Sequence, residues 1–264
     1  MADVIPTLVA QGQWASIRGG RNLVPMIDGK VLDLANDGSW RLWNYDPKNT
    51  RDIFPGGPAA QGQWASIGGG HALITMKDGH VLDWVPGDGS WRLWNYDPKS
   101  TRDIFPGGPA AQGQWASIRV GHALFRMRDG RVLDYYTTDG TWRLWNYDPA
   151  STGDIFPGAP NNTGKWPDFT VSGGTANPWD DLFVVMNDGA VLDWIPMSGY
   201  WRLVDYVDAT DQKTGRQFGT FPPPVTNGHW ASIGSGHWLV TMSDGNVLDW
   251  VWSDGSWRLW KYVR

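Results

Sequence analysis

The chain of 264 residues contains no cysteine. That excludes disulfides, a thiolate nucleophile and any Cys-ligated metal, and it suits a reducing compartment. Positive charge is also scarce. Lys and Arg number 22 against 27 Asp and Glu, so the formal net charge of -5 leaves no basic field to gather phosphates, and no nucleic-acid partner is expected. No apolar run is long enough to span a bilayer. The first ten residues carry neither a basic cluster nor an apolar stretch of signal-peptide length. The expectation is a protein without membrane insertion, cytoplasmic or released without a recognisable signal peptide. Nucleophile-elbow and zinc-protease motifs are missing as well, and Gly68-Gly69-Gly70 precede a strand pattern, not a helix, so they do not form a nucleotide fingerprint.

What the chain has in excess is tryptophan, 20 residues of it, against a hydrophobic content of 41%. Trp14, Trp64, Trp115, Trp166 and Trp230 each open one phrase, written Gln-Trp-Ala-Ser-Ile in three of the five copies. The spacing is roughly 50 residues, the period of a propeller blade, with a longer interval before the last copy. The repeat fills residues 1–264, which predicts a single domain.

The second copy shows the pattern of one unit. Residues 71–76 alternate, Asp78-Gly79 suits a two-residue type I′ hairpin turn, and Val81–Val85 follows. The loop Pro86-Gly87-Asp88-Gly89-Ser90 reverses the chain, and Trp91 to Tyr96 runs back as a third strand ended by Asp97-Pro98. A two-residue first turn sets Met76 against Val81, Ile74 against Asp83 and Leu73 against Trp84; the second turn sets Asp83 against Arg92 and Trp84 against Trp91. Both faces are then largely apolar and need covering on both sides.

The chain ends make the argument for closure. The last copy stops at Tyr262 without the tail written Asp52-Ile53-Phe54-Pro55 and Asp103-Ile104-Phe105-Pro106 elsewhere, while Asp3-Val4-Ile5-Pro6 stands ahead of Gln13-Trp14. The N-terminal segment is therefore expected to complete the last blade, leaving no strand edge unpaired. The fold class predicted is all-β, a five-bladed β-propeller.

The order Gly70-His71-Ala72-Leu73, Asp78-Gly79-x-Val81-Leu82 and Asn95-Tyr96-Asp97-Pro98 resembles the repeat of kelch and galactose-oxidase-like β-propellers. The five-fold count is similar to the tachylectin-2 type of five-bladed lectin. The resemblance covers nearly the whole chain and implies a propeller whose strand-end loops form the ligand-binding face. Kelch repeats occur in oxidases, adaptors and lectins alike, and the copper oxidases need a Cys that this chain lacks.

Two sets of repeated residues read as scaffold. Asp33, Asp83, Asp134, Asp193 and Asp249 face Arg41, Arg92, Arg143, Arg202 and Arg258 as cross-strand ion pairs. The opening tryptophans, with Trp43, Trp94, Trp145 and Trp260, read as packing. The candidate ligand-binding set lies at one end of each blade, where loops on a rigid frame carry sites. In copy two it is His71, Trp84, Asp88 and Trp91; in copy one Arg21, Leu34, Asp37 and Trp40; in copy three His122, Tyr135, Asp139 and Trp142. In copy four it is Asp181, Trp194 and Trp201, and in copy five His237, Trp250, Asp254 and Trp257. An exposed indole offers a flat apolar platform and a neighbouring Asp or His offers hydrogen bonds, which together suit a sugar ring.

The function expected is a multivalent, lectin-like protein with glycans or glycoconjugates as partners, no cofactor and no metal. The alternative is an enzyme with one site in a central opening, where His71, His122, His237, Arg21 and Asp181 would surround a small substrate or a metal. Copies one and four replace the imidazole by Arg21 and Asp181, which weighs against the metal. The insertion in copy four, with Trp179, Asp180 and Asp181, breaks the symmetry and is the place to look for a catalytic pocket.

Overall fold

The computed structural model describes residues 3–151, 153–166, 182–210 and 217–264, and every regular element in them is a strand. After β1 (Thr7–Gln13), the first set is β2 (Arg21–Pro25), β3 (Val31–Ala35), β4 (Ser39–Trp43) and β5 (Ala60–Gln63). The second is β6 (Ala72–Thr75), β7 (Val81–Val85), β8 (Ser90–Trp94) and β9 (Pro109–Gln114). The third is β10 (His122–Arg126), β11 (Val132–Tyr136), β12 (Thr141–Trp145) and β13 (Asn162–Lys165). The fourth runs β14 (Leu182–Val185), β15 (Val191–Ile195) and β16 (Tyr200–Val204); a two-stranded ribbon of β17 (Val207–Thr210) and β18 (Gln217–Thr220) intervenes before β19 (Thr226–His229) completes it. The last set is β20 (His237–Thr241), β21 (Val247–Val251) and β22 (Ser256–Lys261), with β1 as its fourth strand. Five four-stranded sheets result, and the fold is an all-β, five-bladed β-propeller. No helix among the described residues is long and apolar enough to cross a membrane.

The contacts divide the chain into two compact units, one of Ala2–Val85, Arg92–Ala110 and Gly236–Arg264, the other of Pro86–Trp91 and Ala111–Ser235. The first unit contains the closure. β1 pairs antiparallel with β22 from Thr7↔Lys261 to Gln13↔Ser256, with one irregularity between Leu8 and Ala10. Val263 N–H donates to the Val4 carbonyl at 2.9 Å, repeating the bond from Asp46 to Ile53 in the first blade. Val4 and Ile5 are buried as Ile53 and Phe54 are, so residues 3–6 stand in for the tail that the last copy lacks.

Aromatic stacking explains the tryptophan content. Trp14 lies between Trp257 (5.1 Å) and Phe54 (4.8 Å), and Trp64 between Trp40 (4.9 Å) and Phe105 (4.8 Å). In the second unit Trp115 lies between Trp91 (5.2 Å) and Phe156 (4.8 Å). These three opening indoles also donate Nε1–H to the Asp of the next Asp-Ile-Phe-Pro tail: Trp14 to Asp52, Trp64 to Asp103 and Trp115 to Asp154. That carboxylate in turn accepts the amide of Phe54, Phe105 or Phe156, which locks the tail against the stack. In the fourth blade Val204 replaces the later Trp, and Phe221 meets Trp166 edge-on at 4.8 Å.

The first hairpin of each blade differs from the expected one. Met76 N–H donates to His80 O at 2.8 Å and Gly79 N–H to Met76 O at 3.1 Å, so the loop has three residues, Lys77, Asp78 and Gly79. Only the glycine has positive φ, at 93°, whereas a type I′ turn needs it at two positions. The arrangement is the type I turn with a left-handed glycine that three-residue hairpins use. The extra residue moves the register by one: Ala72 faces Trp84, Leu73 faces Asp83 and Ile74 faces Leu82. A one-residue slip exchanges the faces of a strand.

The opposite ends of the strands are tied by tyrosines. Tyr45 donates its hydroxyl to Asp244 at 3.0 Å, Tyr96 to Asp28 at 3.2 Å and Tyr206 to Asp129 at 2.6 Å. Burial, and then the facing carboxylate, raise the ionisation of Tyr45 and Tyr96 far above the ordinary phenol range. In the unfolded chain these phenols ionise near pH 10. A raised folded value means their contribution is complete below that pH and is lost as pH climbs above it. The melting temperature is expected to hold level to about pH 9 and to fall beyond about pH 10. Replacing Tyr45 and Tyr96 together with Phe lowers it at neutral pH and makes the alkaline fall shallower, as thermal melts across pH 7–11 will show.

Candidate functional site

At the heart of each blade sits one buried carboxylate. Asp33, Asp83, Asp134, Asp193 and Asp249 are all at most 1% exposed, which for a charged group requires partners. The predicted cross-strand ion pair is present: Asp33↔Arg41, Asp134↔Arg143, Asp193↔Arg202 and Asp249↔Arg258 face each other in the ladders. The Arg41 Nε–Asp33 Oδ2 distance is 2.8 Å, and Arg92 Nη2 is 2.6 Å from Asp83 Oδ2. Arg41 and Arg143 continue to the carbonyls of Ser16 and Ser117, both at 2.7 Å, pinning the loop before the first strand. Their guanidinium groups lie over Trp43 and Trp145 at 5.1 and 5.4 Å.

The other carboxylate oxygen holds the residue that heads the first strand. His71, His122 and His237 each place Nδ1 2.6 Å from Oδ1 of Asp83, Asp134 and Asp249, and Arg21 places Nη1 2.9 Å from Asp33 Oδ1. The register slip is the cause. In the expected pairing His71 shared a face with Trp84, whereas in the observed pairing it shares a face with Asp83, diagonally across the ladder. A carboxylate only accepts, so Nδ1 carries a proton and Nε2 is the ring's remaining polar atom, an acceptor whenever the ring is neutral. No protein group among the described residues bonds to these three Nε2 atoms. The side chains are 14–18% exposed, so each imidazole is fixed by the core and open at one edge.

The expected aromatic platforms are absent from this edge. Trp40, Trp84, Trp91, Trp142, Trp194, Trp201, Trp250 and Trp257 are at most 5% exposed, as is Tyr135. Their strands are covered on both faces, and strand pairing turns these rings inward with the apolar neighbours. Trp40 lies flat on Gly62, where a Cβ would come within 2.8 Å of the ring, and Trp257 does the same on Gly12 at 2.7 Å. The indoles are packing, and the expectation of stacking on them is corrected.

The turn carboxylates are exposed or half-exposed and committed locally. Asp37 and Asp254 accept the amides of Ser39 (2.9 Å) and Ser256 (2.8 Å), bonds that hold both carboxyls below the ordinary value. Asp88 and Asp139 are lowered first by the Ser90 and Thr141 hydroxyls. Gln114 and Gln13 donate to the carbonyls of Asp88 (3.0 Å) and Asp254 (3.1 Å), so the loop is rigid. Asp181, with Trp179 and Asp180, lies outside the described residues. Among the described residues no group of three or more His, Asp or Glu is placed to hold a metal ion.

Two side chains that the repeat pattern passed over are the exposed indoles. Of the described tryptophans, only Trp238 (39%) and Trp252 (46%) stand well into solvent, both on the last blade. The available signal was departure from the repeat: Trp238 replaces Asn22, Ala72 and Ala123, and Trp252 occupies a loop position held by Pro86 and Thr137 elsewhere.

No family model matches the chain, and no curated protein does. Solved structures that it resembles include a streptogramin B lyase, at 9% identity and TM-score 0.46, covering 99% of this chain and 100% of that one. A catalytically inactive virginiamycin B lyase from Staphylococcus aureus with quinupristin is 10% identical, with TM-score 0.44 over 91% of this chain and 66% of that one, so this chain spans just under two thirds of its length. The WD40 domain of Toxoplasma gondii coronin is 9% identical at TM-score 0.46, covering 92% of this chain and 69% of that one.

Proposed function

We propose that the protein is a multivalent carbohydrate-binding, lectin-like propeller whose repeated sites are built on the anchored imidazoles at the heads of the first strands. The observation that carries this reading is the threefold recurrence of one geometry: His71, His122 and His237, each held at 2.6 Å by a buried carboxylate, with Nε2 uncommitted. A ring fixed by the core gives up little entropy on binding, and an acceptor at the edge of a rigid loop suits a sugar hydroxyl. The turn carboxylates Asp88, Asp139 and Asp254 stand at the same ends of the blades and add acceptors. Weak equivalent sites carried on one chain gain orders of magnitude toward a surface carrying many copies of one sugar. The resemblance of the repeat phrases to kelch and tachylectin-2-type propellers supports this reading.

A printed glycan array tests it, followed by calorimetric titration with the best sugar. The result expected is binding with more than one sugar per chain. Changing His71, His122 or His237 singly to Gln should lower the number bound by about one, because equivalent sites on one body act independently until a multivalent surface joins them. Silence across a broad array sinks the reading.

A further inference from the structure

The equivalence of the blades is broken at the border of the last and first ones, and the break is aromatic. Trp252 N–H bonds to the Gly236 carbonyl at 3.2 Å, and Trp238 faces Trp250 in the ladder. Directly opposed residues share a face, so Trp238 and Trp250 leave the sheet together, and Trp252 follows in the turn, its ring against Gly19 and Gly236. Trp250 is buried there with its Nε1–H on the Ile17 carbonyl at 3.3 Å, which shows that this face looks toward the first blade. Trp238 beside that buried ring and Trp252 two residues beyond it remain exposed, diagonal neighbours across the strand pair at about 7–8 Å.

Glycines on both sides hold the outer ring in place. A Cβ on Gly19 would lie 3.4 Å from Trp252 Cε3, and one on Gly236 would lie 3.3 Å from its Nε1. The indole thus rests on bare backbone from two blades, with no side chain covering it from either glycine. Neither Trp238 nor Trp252 has a hydrogen-bond partner for Nε1 among the described residues. Polar groups stand beside them. Arg18 precedes Gly19, packs its side chain 3.3 Å from where a Gly255 Cβ would be, and its charge helps hold the Asp254 carboxyl low.

The second unit supplies the control. Arg119 sits against Gly89 and beside Asp88 in the same way, so the Arg and Asp pair is a repeated feature, but no exposed indole accompanies it. What is added at Trp238 and Trp252 is a flat apolar surface with two free N–H donors, next to a cation and an anion of no net charge.

We infer that this border is the protein's primary sugar site: Trp252 and Trp238 receive the C–H face of a neutral pyranose, while Arg18 and Asp254 bond its hydroxyls. An exposed ring with a polar edge suits such a ligand, since the apolar patch of a pyranose is small and ringed by hydroxyls. A charged sugar acid or amino sugar would meet a like charge from one member of the Arg18 and Asp254 pair. The inference rests on the carbohydrate-binding reading and adds to it an unequal set of sites, one tight and several weak.

The test uses the full chain and a panel of methyl α- and β-pyranosides of glucose, galactose, mannose, fucose and N-acetylglucosamine. Calorimetry should resolve one tighter site and a weaker class. Trp252→Ala and Trp238→Ala should each weaken the tight site about tenfold or more, as loss of an aromatic anchor does. Both should leave the weak class unchanged and lower the melting temperature only slightly, because the rings are part-exposed. Trp252→Phe should keep most of the affinity, and His71→Gln should touch only the weak class. If the wild-type protein binds a sugar and both Trp→Ala variants bind it equally well, this inference falls and the lectin reading survives. If the wild type binds none of the panel or of the array, both fall together.

Discussion

A chain lacking residues 1–13 should fail to give a stable monomer. β1 is the fourth strand of the last blade, and its removal strips β22 of its partner from Ser256 to Lys261. Val4 and Ile5, 4% and 2% exposed, leave the core with it. Full burial of two such side chains contributes about 1.5–3 kcal/mol each. Trp257 also loses the backbone of Gly12, on which it lies too closely to admit a Cβ. The sum is a large fraction of the 5–15 kcal/mol that typical domains have in total. The bared β22 is a row of unpaired backbone groups flanked by Trp257, Leu259 and Trp260, a template for association. The expected result is a melting temperature lower by ten degrees or more, or aggregation, seen by scanning calorimetry and light scattering. A synthetic peptide of residues 1–13 added in trans should restore part of the loss, since whatever binds the folded state stabilises it. A truncated protein that stays monomeric and melts as the intact one does would show that the last blade does not need its fourth strand.

That closure was legible in the sequence because it is a matter of bookkeeping at the level of whole elements: a tail absent at one end and present at the other. The Asp and Arg pairing was legible for a similar reason, since both residues sit on strands joined by a short loop whose ends align them. Asp78-Gly79 was harder. Asp-Gly serves a two-residue turn and also the last two places of a three-residue one, and only the sign of φ at Asp78, negative here, separates them. One residue of error turned His71 from the carboxylate of Asp83 to the ring of Trp84, so the candidate site was composed with the right histidines beside the wrong partners. The exposure of the tryptophans was not legible at all. What covers Trp40 is Gly62 and Trp64, from the fourth strand and the loop beyond it, and a repeat shows recurrence without showing which ring faces out. Symmetry itself hid Trp238 and Trp252, since attention to what recurs discards what does not.

Changing Asp83 to Ala should be the most damaging single substitution of a charged residue in the second blade. The carboxylate is 1% exposed and bonded to Arg92 at 2.6 Å, His71 at 2.6 Å and Trp94 Nε1 at 3.4 Å. Its loss leaves a guanidinium and an imidazole without their acceptor, and breaking a buried pair by removing one partner costs about 3–5 kcal/mol. Arg92 keeps its bond to the Ser66 carbonyl and its place over Trp94, so the loop it pins should loosen before the sheet does. Urea titration should give a midpoint lower than that of the wild type at unchanged slope. The double variant Asp83→Leu with Arg92→Met should recover much of the deficit, because apolar replacement of a whole buried pair is often neutral or better. Binding gives the second readout. With Asp83 gone, His71 Nδ1 no longer has the acceptor that fixes its tautomer and ring orientation, so the sugar site of that blade should be lost even in the stability-rescued double variant, while those at His122 and His237 persist. Should the double variant regain stability and keep its full count of bound sugars, the carboxylate anchors the fold alone and His71 needs no orienting for recognition.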